Sequence, residues 1–441
     1  MNRRRFVRNS LMLGGAAPWA LGRWSPVQGA LLPPTGVDGV RLNAEIQELR
    51  RFGGTPDGGT HRVAYSDEDL GGRDWVLARM RDAGFTTRVD PAGNLVGTLP
   101  GTDADLPALA VGSHIDTVPY GGSYDGTIGV LAGVELARTL HAENQRLRHP
   151  LRLYVFQNEE GGKTGSRLLI GAVEPSELDI VTASGFTIGE GIARLGGAPD
   201  PLTAARASTG PLAAFVELHI EQGATLERAG VPIGVVEGIV GIRRWFVTVT
   251  GEKNHAGTTP MDQRRDALVA ASRMVSAVDE VALRIEGRQV ATVGRLEVDP
   301  GAPNVIPGSV RFTLEIRDLS MEGIEGVLRA IQARAERIAT DRGVAVDFEP
   351  FYVSEAAPAA EGLRRAVEGA AEGLGLRHMR LPSGAGHDAQ SMAKLCPMGM
   401  IFVPSRGGIS HAPDEFTEAD QITAGANALL GTALELDRAL G

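Results

Sequence analysis

At 441 residues, with 43% hydrophobic and 22% charged residues, the chain is too long for one compact core and reads as a soluble globular protein of two domains. A formal net charge of -10, with acidic residues spread along the chain, argues against a nucleic-acid surface and leaves small molecules or peptides as the expected partners. The single cysteine, Cys396, excludes an intramolecular disulfide framework, and the 58 glycines fall between apolar runs without forming a repeat.

The first thirty residues differ in kind from the rest. Arg3, Arg4, Arg5, Phe6, Val7 and Arg8 make a basic start, and an apolar, Gly/Ala-rich stretch over residues 11–21 follows. That stretch is too short to span a bilayer as a mature helix and suits a signal peptide over residues 1–30. The Arg-Arg-x-Phe-Val-Arg arrangement resembles a twin-arginine export signal, which implies a periplasmic or extracellular protein with no stable membrane anchor after signal removal. The alternative is a basic, disordered N-terminus, and Gln28-Gly29-Ala30 is only a weak cleavage site.

From about residue 105 onward, apolar runs over 109–112, 151–157 and 215–220 read as strands, with a helix over 127–140 between the first two. This βα alternation predicts a mixed, mostly parallel sheet, whose ligands collect at the carboxyl ends of the strands. Residues 38–240 are therefore the first part of a larger α/β domain. From 241 to 353 the pattern becomes strand (245–250), helix (267–283), two strands (289–298 and 310–317), helix (321–340) and strand (344–351), the order of a ferredoxin-like α+β unit inserted into the larger domain. Residues 354–441 return to it, with a buried strand over 398–403, a last helix over 418–440, and Cys396 read as a buried strand residue in CPMGMIFV.

Five possible metal ligands follow strands or sit in glycine-rich turns: His114 in GSHIDTVP, Asp125 in GGSYDGTIG, Glu160 in FQNEEGG, His219 in ELHIEQG and His411 in GISHAPDE. A lone histidine at a strand end is more often a hydrogen-bonded structural residue, but histidines that follow apolar runs beside carboxylates are hard to assign to packing. Imidazole and carboxylate without thiolate suit Zn2+ and would also accept Mn2+ or Co2+. Asp116 either hydrogen-bonds the His114 imidazole or caps a turn. Glu159 and Glu160, being adjacent, cannot both face one metal from an extended backbone.

GSHIDTV, GGSYDGTIGVLAG, NEEG, ELHIEQG, NHAGTTPMDQRRDA, NVIPG, EIRD, SGAGHDA and MIFVPSRGGISHAPDE occur in order between about residues 110 and 416. In these stretches the chain resembles the M20 peptidase clan, in its N-carbamoyl-L-amino-acid hydrolase and allantoate amidohydrolase branch. The resemblance implies a zinc-peptidase-like α/β catalytic domain, a lid that also dimerises, and two divalent ions. In it Asp125 bridges the ions, His114 and His219 complete one site, and Glu160 and His411 complete the other. It further implies Glu159 as general base and His255, reaching across a homodimer contact, as oxyanion donor. Asn304 and Arg317 would hold a substrate carboxylate, with Gln222 and, more weakly, His387 as further substrate contacts. Arg244, beside Arg243, resembles allantoate-type enzymes, although a basic residue on an exposed strand is usually edge protection.

The expected activity is hydrolysis of the carbamoyl or ureido C–N bond of a small molecule. The rivals are an M20-clan aminoacylase or dipeptidase with the same metal centre, and a catalytically silent ureide-binding protein. After NEEG, relatives generally continue with an Arg-Phe pair, whereas this chain has GGKTGSRLL, so the wall beside Glu160 is expected to differ.

Overall fold

Nine strands make one mixed sheet in the spatial order Thr86–Val89, Leu95–Leu99, Leu151–Phe156, Ala108–His114, Leu212–Ile220, Met398–Val403 and Ile233–Ile239, with Ala357–Pro358 and His378–Ser383 both paired to the last of these. This is the arrangement in a computed structural model that describes residues 36–198 and 200–440; the expected signal segment lies outside them. No helix among the described residues is long and apolar enough to cross a membrane. The central pairs Ala108–His114 with Leu151–Phe156, Ala108–His114 with Leu212–Ile220, and Leu212–Ile220 with Met398–Val403 are parallel, while both ends of the sheet carry antiparallel pairs.

Strand Ala108–His114 is buried along its whole length because its two faces feed different cores. Leu109, Val111, Leu153, Val155, Val216 and Leu218 enter one apolar cluster, and the alternate residues Ala110, Tyr154, Phe156 and Phe215 enter the other. Side chains alternate across a strand, so a run apolar at every position is what a sheet covered on both faces requires. Helix Thr127–Ala142 is buried on nearly all sides against that sheet, and helix Ala419–Ala439 starts at a capping box of Glu418 and Gln421.

Between Gly241 and Ser354 the chain builds a second sheet in the order Ala345–Ser354, Gly241–Thr250, Ser309–Asp318, Val290–Asp299, with every neighbour antiparallel. With helices Ala267–Arg284 and Met321–Arg342 this is the βαββαβ ferredoxin-like order. Trp245, Val247, Val249, Val310, Phe312, Leu314 and Ile316 face both helices in a core of their own. Alternation therefore leaves Arg244, Glu315 and Arg317 together on the opposite face. Asp266 accepts from the amides of Leu268 and Val269 to start the first helix, and Gly343, at φ 63°, ends the second.

Several features depart from expectation. Strands Thr86–Val89, Leu95–Leu99, Ile233–Ile239, Ala357–Pro358 and His378–Ser383 of the large sheet are absent from the elements read in the sequence. Cys396 is buried but lies in the bend before strand Met398–Val403, not in the strand. Helices Gly39–Leu49 and Asp67–Asp82 precede the sheet and are absent from the elements read in the sequence. The second of them buries Asp69 and Arg73, which blurs the apolar periodicity that would mark it.

Candidate metal centre

Parallel pairing brings the carboxyl ends of four strands to one edge of the sheet. His114 is the last residue of its strand and lies opposite Phe156, two residues before the Asn158-Glu159-Glu160 turn, while His219 lies opposite Phe402. Asp125 precedes helix Thr127–Ala142, and His411 lies in the segment that follows strand Met398–Val403.

The five residues converge. His114 Nε2 is 3.3 Å and His219 Nε2 3.0 Å from Asp125 Oδ1, while His411 Nε2 is 3.5 Å from both Asp125 Oδ2 and Glu160 Oε2. Two groups of potential ligands result, His114-Asp125-His219 and Asp125-Glu160-His411, each with its ligand atoms within 4.8 Å of one another. Asp125 is the member they share, and it offers a different oxygen to each. Tetrahedral coordination with bonds of about 2.0–2.1 Å has edges of about 3.3 Å, so the donor spacing fits one cation in each group. Glu159 Oε2 is 3.9 Å from His114 Nε2 and is the carboxylate beside the first group.

The histidine tautomers agree with that use. His114 Nδ1 lies 3.0 Å from the Asp116 carbonyl and His219 Nδ1 lies 2.9 Å from the Ile220 carbonyl. An Nδ1–H donated to each carbonyl leaves both Nε2 lone pairs for a cation. The expected bond from the Asp116 side chain to the imidazole is thus replaced by its carbonyl. The Asp116 carboxylate accepts instead from the amides of Glu159, at 3.3 Å, and Glu160, at 3.2 Å, and so orients the turn that bears both glutamates.

Other groups brace the centre: Glu415 and Ser410, missed in the sequence, and Gln222, expected there as a substrate contact. Glu415 accepts from the amides of Tyr124 and Asp125 on one oxygen, and from the Ser410 hydroxyl and the His411 amide on the other. Ser410 also reaches Asp125 Oδ2, as does Gln222 Nε2 at 2.6 Å. Gly126 has φ 63°, and a Cβ there would lie 2.4 Å from His114 Nε2, so the loop can pass the imidazole only as glycine. Asn158, Lys163, Gln222 and His411 all hold positive φ without being glycine, which concentrates backbone strain at this site. The signal for Glu415 lies in SHAPDE, four residues after His411, but nothing local distinguishes it from a solvated acid.

Charge is crowded here. Burial raises Glu159 to about 7, and burial together with the charge of Asp125 raises Glu160 to about 8. Burial alone would raise Asp125, yet His219 and the bonds from His114, His219 and His411 hold it well below the usual carboxylate range. Burial opposes charge on His219, but Asp125 lifts it to about 9; the bond to Asp125 lifts His411 to about 9. Packed carboxylates with raised pKa values beside histidines are the environment that divalent cations neutralise.

The remaining expected site residues fall in three places. His387 is 2% exposed, packs edge-on against the His219 ring at 4.4 Å and bonds Ser383 Oγ, so it lies directly against one of the candidate ligands. Arg244 Nε and Arg317 Nε grip the two oxygens of Glu315 at 2.6 and 2.7 Å; Arg244 lies over the Tyr352 ring, and Arg317 also donates to the Gly384 carbonyl. Glu315, which holds both arginines, is visible in EIRD only as part of a motif. His255 and Asn304 adjoin each other: the Ala256 amide donates to the Asn304 carbonyl at 3.0 Å, beside the two-residue pairing of Val305 with His255. Among the described residues, none of the hydrogen bonds of His255 or Asn304 reaches the five ligands.

The fold and this centre define a metal-dependent hydrolase class, and the chain belongs to it: the model of Peptidase family M20/M25/M40 matches residues 110–435. An N-carbamoyl-L-amino acid amidohydrolase of Geobacillus stearothermophilus is 40% identical over 405 residues, 91% of this chain and 99% of that protein. An allantoate amidohydrolase of Bacillus subtilis is 36% identical, covering 87% of this chain and 94% of its own length. Among solved structures, a hydantoinase/carbamoylase family amidase of Burkholderia multivorans is 38% identical with a TM-score of 0.83, covering 92% of this chain and 99% of that one.

Proposed function

We propose that this chain hydrolyses the carbamoyl C–N bond of N-carbamoyl-L-amino acids or related ureides, using two divalent cations, Zn2+ or in their place Mn2+ or Co2+. The observation that carries the reading is Asp125, shared by two ligand groups through separate oxygens, with Glu159 beside one of them. When bound, the cations supply Lewis acidity, which lowers the pKa of a water and polarises a carbonyl.

The chain's own residues do the rest. Glu159 takes a proton from the attacking water and passes it to the leaving nitrogen. The water oxygen bonds to the carbonyl carbon and the bond to the amino-acid nitrogen breaks, giving the amino acid and carbamate, which decomposes to ammonia and carbon dioxide. His255 Nδ1 accepts the amides of Gly257 and Thr258, which leaves the ring proton on Nε2 as a donor to a developing oxyanion. Arg317 and Asn304 hold the substrate carboxylate, with Arg244 positioned through Glu315. Because His255 bonds none of the five ligands among the described residues of its own chain, a homodimer that supplies it from the partner's smaller domain is part of the proposal, as is export through the basic N-terminal segment.

The test is ammonia release from N-carbamoyl amino acids and allantoate by protein loaded with Zn2+ or Mn2+, against amino-acid release from N-acyl amino acids. Ammonia that disappears with a chelator supports the proposal. Turnover of N-acyl substrates alone would establish an aminoacylase or dipeptidase, and no turnover would leave a ureide-binding protein.

A further inference from the structure

The turn that carries Glu159 is tied to a distant part of the molecule through Lys163. Its backbone closes on itself: the Gly162 and Lys163 amides donate to the Glu159 carbonyl at 2.9 and 2.7 Å, and the Thr164 amide to the Asn158 carbonyl at 3.1 Å. Lys163 sits at φ 58°, a left-handed conformation that is costly for any residue with a Cβ. From there its ammonium donates to Gln390 Oε1, 227 residues away in sequence.

Gln390 passes the contact on. Its Nε2 donates to Ser354 Oγ at 3.0 Å and to the Glu355 carbonyl at 2.6 Å. An ammonium can only donate, so it holds the amide oxygen toward itself and turns the NH2 group toward Ser354 and Glu355. Gln390 is buried in the short helix Asp388–Met392, and all of its amide's observed partners lie along this line.

Ser354 and Glu355 stand where the chain crosses between domains. Ser354 pairs with Ile242 in the smaller sheet, and Ala357, three residues on, pairs with Ile239 in the large one. The other crossing, Val240-Gly241, runs between those same two partners. A second contact reaches the same region: Arg317 of the smaller domain donates to the Gly384 carbonyl, and a Cβ on Gly386 would lie 2.8 Å from Lys163 Nζ.

We propose that Lys163 is a positioning residue, which through Gln390 holds the Glu159 turn in register with the crossing between the two domains. This rests on the reading above, in which Glu159 acts from the large domain while Asn304 and Arg317 hold the substrate from the smaller one. A misplacement of about 1 Å between such groups can cost ~10²-fold in rate, so a fixed link between the two domains has a catalytic effect. The rival is a simple charge effect, because Glu159 is the group that most favours the buried ammonium.

The test compares Lys163→Met, Gln390→Met and the double variant in the full metal-loaded chain, with Gln390→Ala taking the place of Gln390→Met if that variant does not fold. In substrate-free protein, removing the Gln390 amide should speed hydrogen exchange of the Gly162, Lys163 and Thr164 amides by roughly 10-fold, the effect of one lost charge-assisted hydrogen bond. With N-carbamoyl-L-alanine, each single variant should lower kcat and kcat/KM together by about 10- to 100-fold at unchanged metal content. The double variant should be no worse than either single one, as for two parts of one link. Unchanged exchange in the turn, native kcat in both single variants, or additive losses overturn the proposal. Loss in Lys163→Met alone, with the Gln390 variant native, assigns Lys163 to the charge effect and overturns it as well. If the wild-type chain releases no ammonia the ureido reading falls, and the exchange measurement, which needs no substrate, decides the link by itself.

Discussion

The Asp125 amide donates to Glu415 Oε1 at 3.1 Å across 290 residues of sequence. The other oxygen of the same carboxylate takes the His411 amide at 3.3 Å and the Ser410 hydroxyl at 2.8 Å. One buried acid therefore positions both Asp125 and His411, the proposed shared ligand and a proposed terminal one.

Glu415→Gln keeps the volume but offers a single acceptor oxygen and turns an NH2 group toward backbone donors. Groups that orient metal ligands typically contribute 10- to 100-fold in affinity, so cation binding should weaken by about that factor. Competition with a chromogenic chelator measures it, and unchanged affinity would show that Glu415 is only packing.

Gly126→Ala should be far worse than an ordinary glycine substitution. The added methyl meets His114 Nε2 at 2.4 Å and the backbone is held at φ 63°, so the His114 and Asp125 loops must part. Overpacking of this kind costs about 1–3 kcal/mol. We expect a lowered Tm together with loss of bound metal by elemental analysis; a variant with native Tm and full metal content contradicts the geometry.

Glu159→Gln should retain both cations, since Glu159 belongs to neither ligand group. As the proposed base, its loss should lower kcat by about 10²–10⁴-fold with little change in metal content. Near-normal kcat in the metal-replete variant would falsify the assignment.

Cys396 should be inert in the native protein. Burial raises its thiol to about 12, so at pH 8 the thiolate is a minor species, and its fraction grows about tenfold for each unit of pH gained. A disulfide reagent should label the chain at pH 8 only after denaturant is added. Rapid native labelling would mean that the bend before strand Met398–Val403 opens readily.

Much of this protein is written locally. Apolar runs at every position, as in Leu109 and Val111 with Ala110 between them, announce a strand covered on both faces, and the alternation around Trp245 and Leu314 announces one covered on a single face. These periods are properties of neighbouring residues, so the four central strands of the large sheet, the smaller sheet and the identities of the five candidate ligands are legible in the sequence, while the outer strands of the large sheet are not. Helix Asp67–Asp82 is not, because Asp69 and Arg73 are buried in polar contacts that no periodicity encodes.

The tertiary structure decided which atoms meet. It gave the imidazole of His114 to the Asp116 carbonyl and the Asp116 carboxylate to the Glu159–Glu160 turn, packed the His387 ring against His219, and joined Arg244 to Arg317 through Glu315. Hydrogen bonds are short and directional, so a partner chosen at about 3 Å depends on how strands distant in sequence settle in register. Sequence determined the chemistry available to this protein, while long-range packing determined the partner of each group.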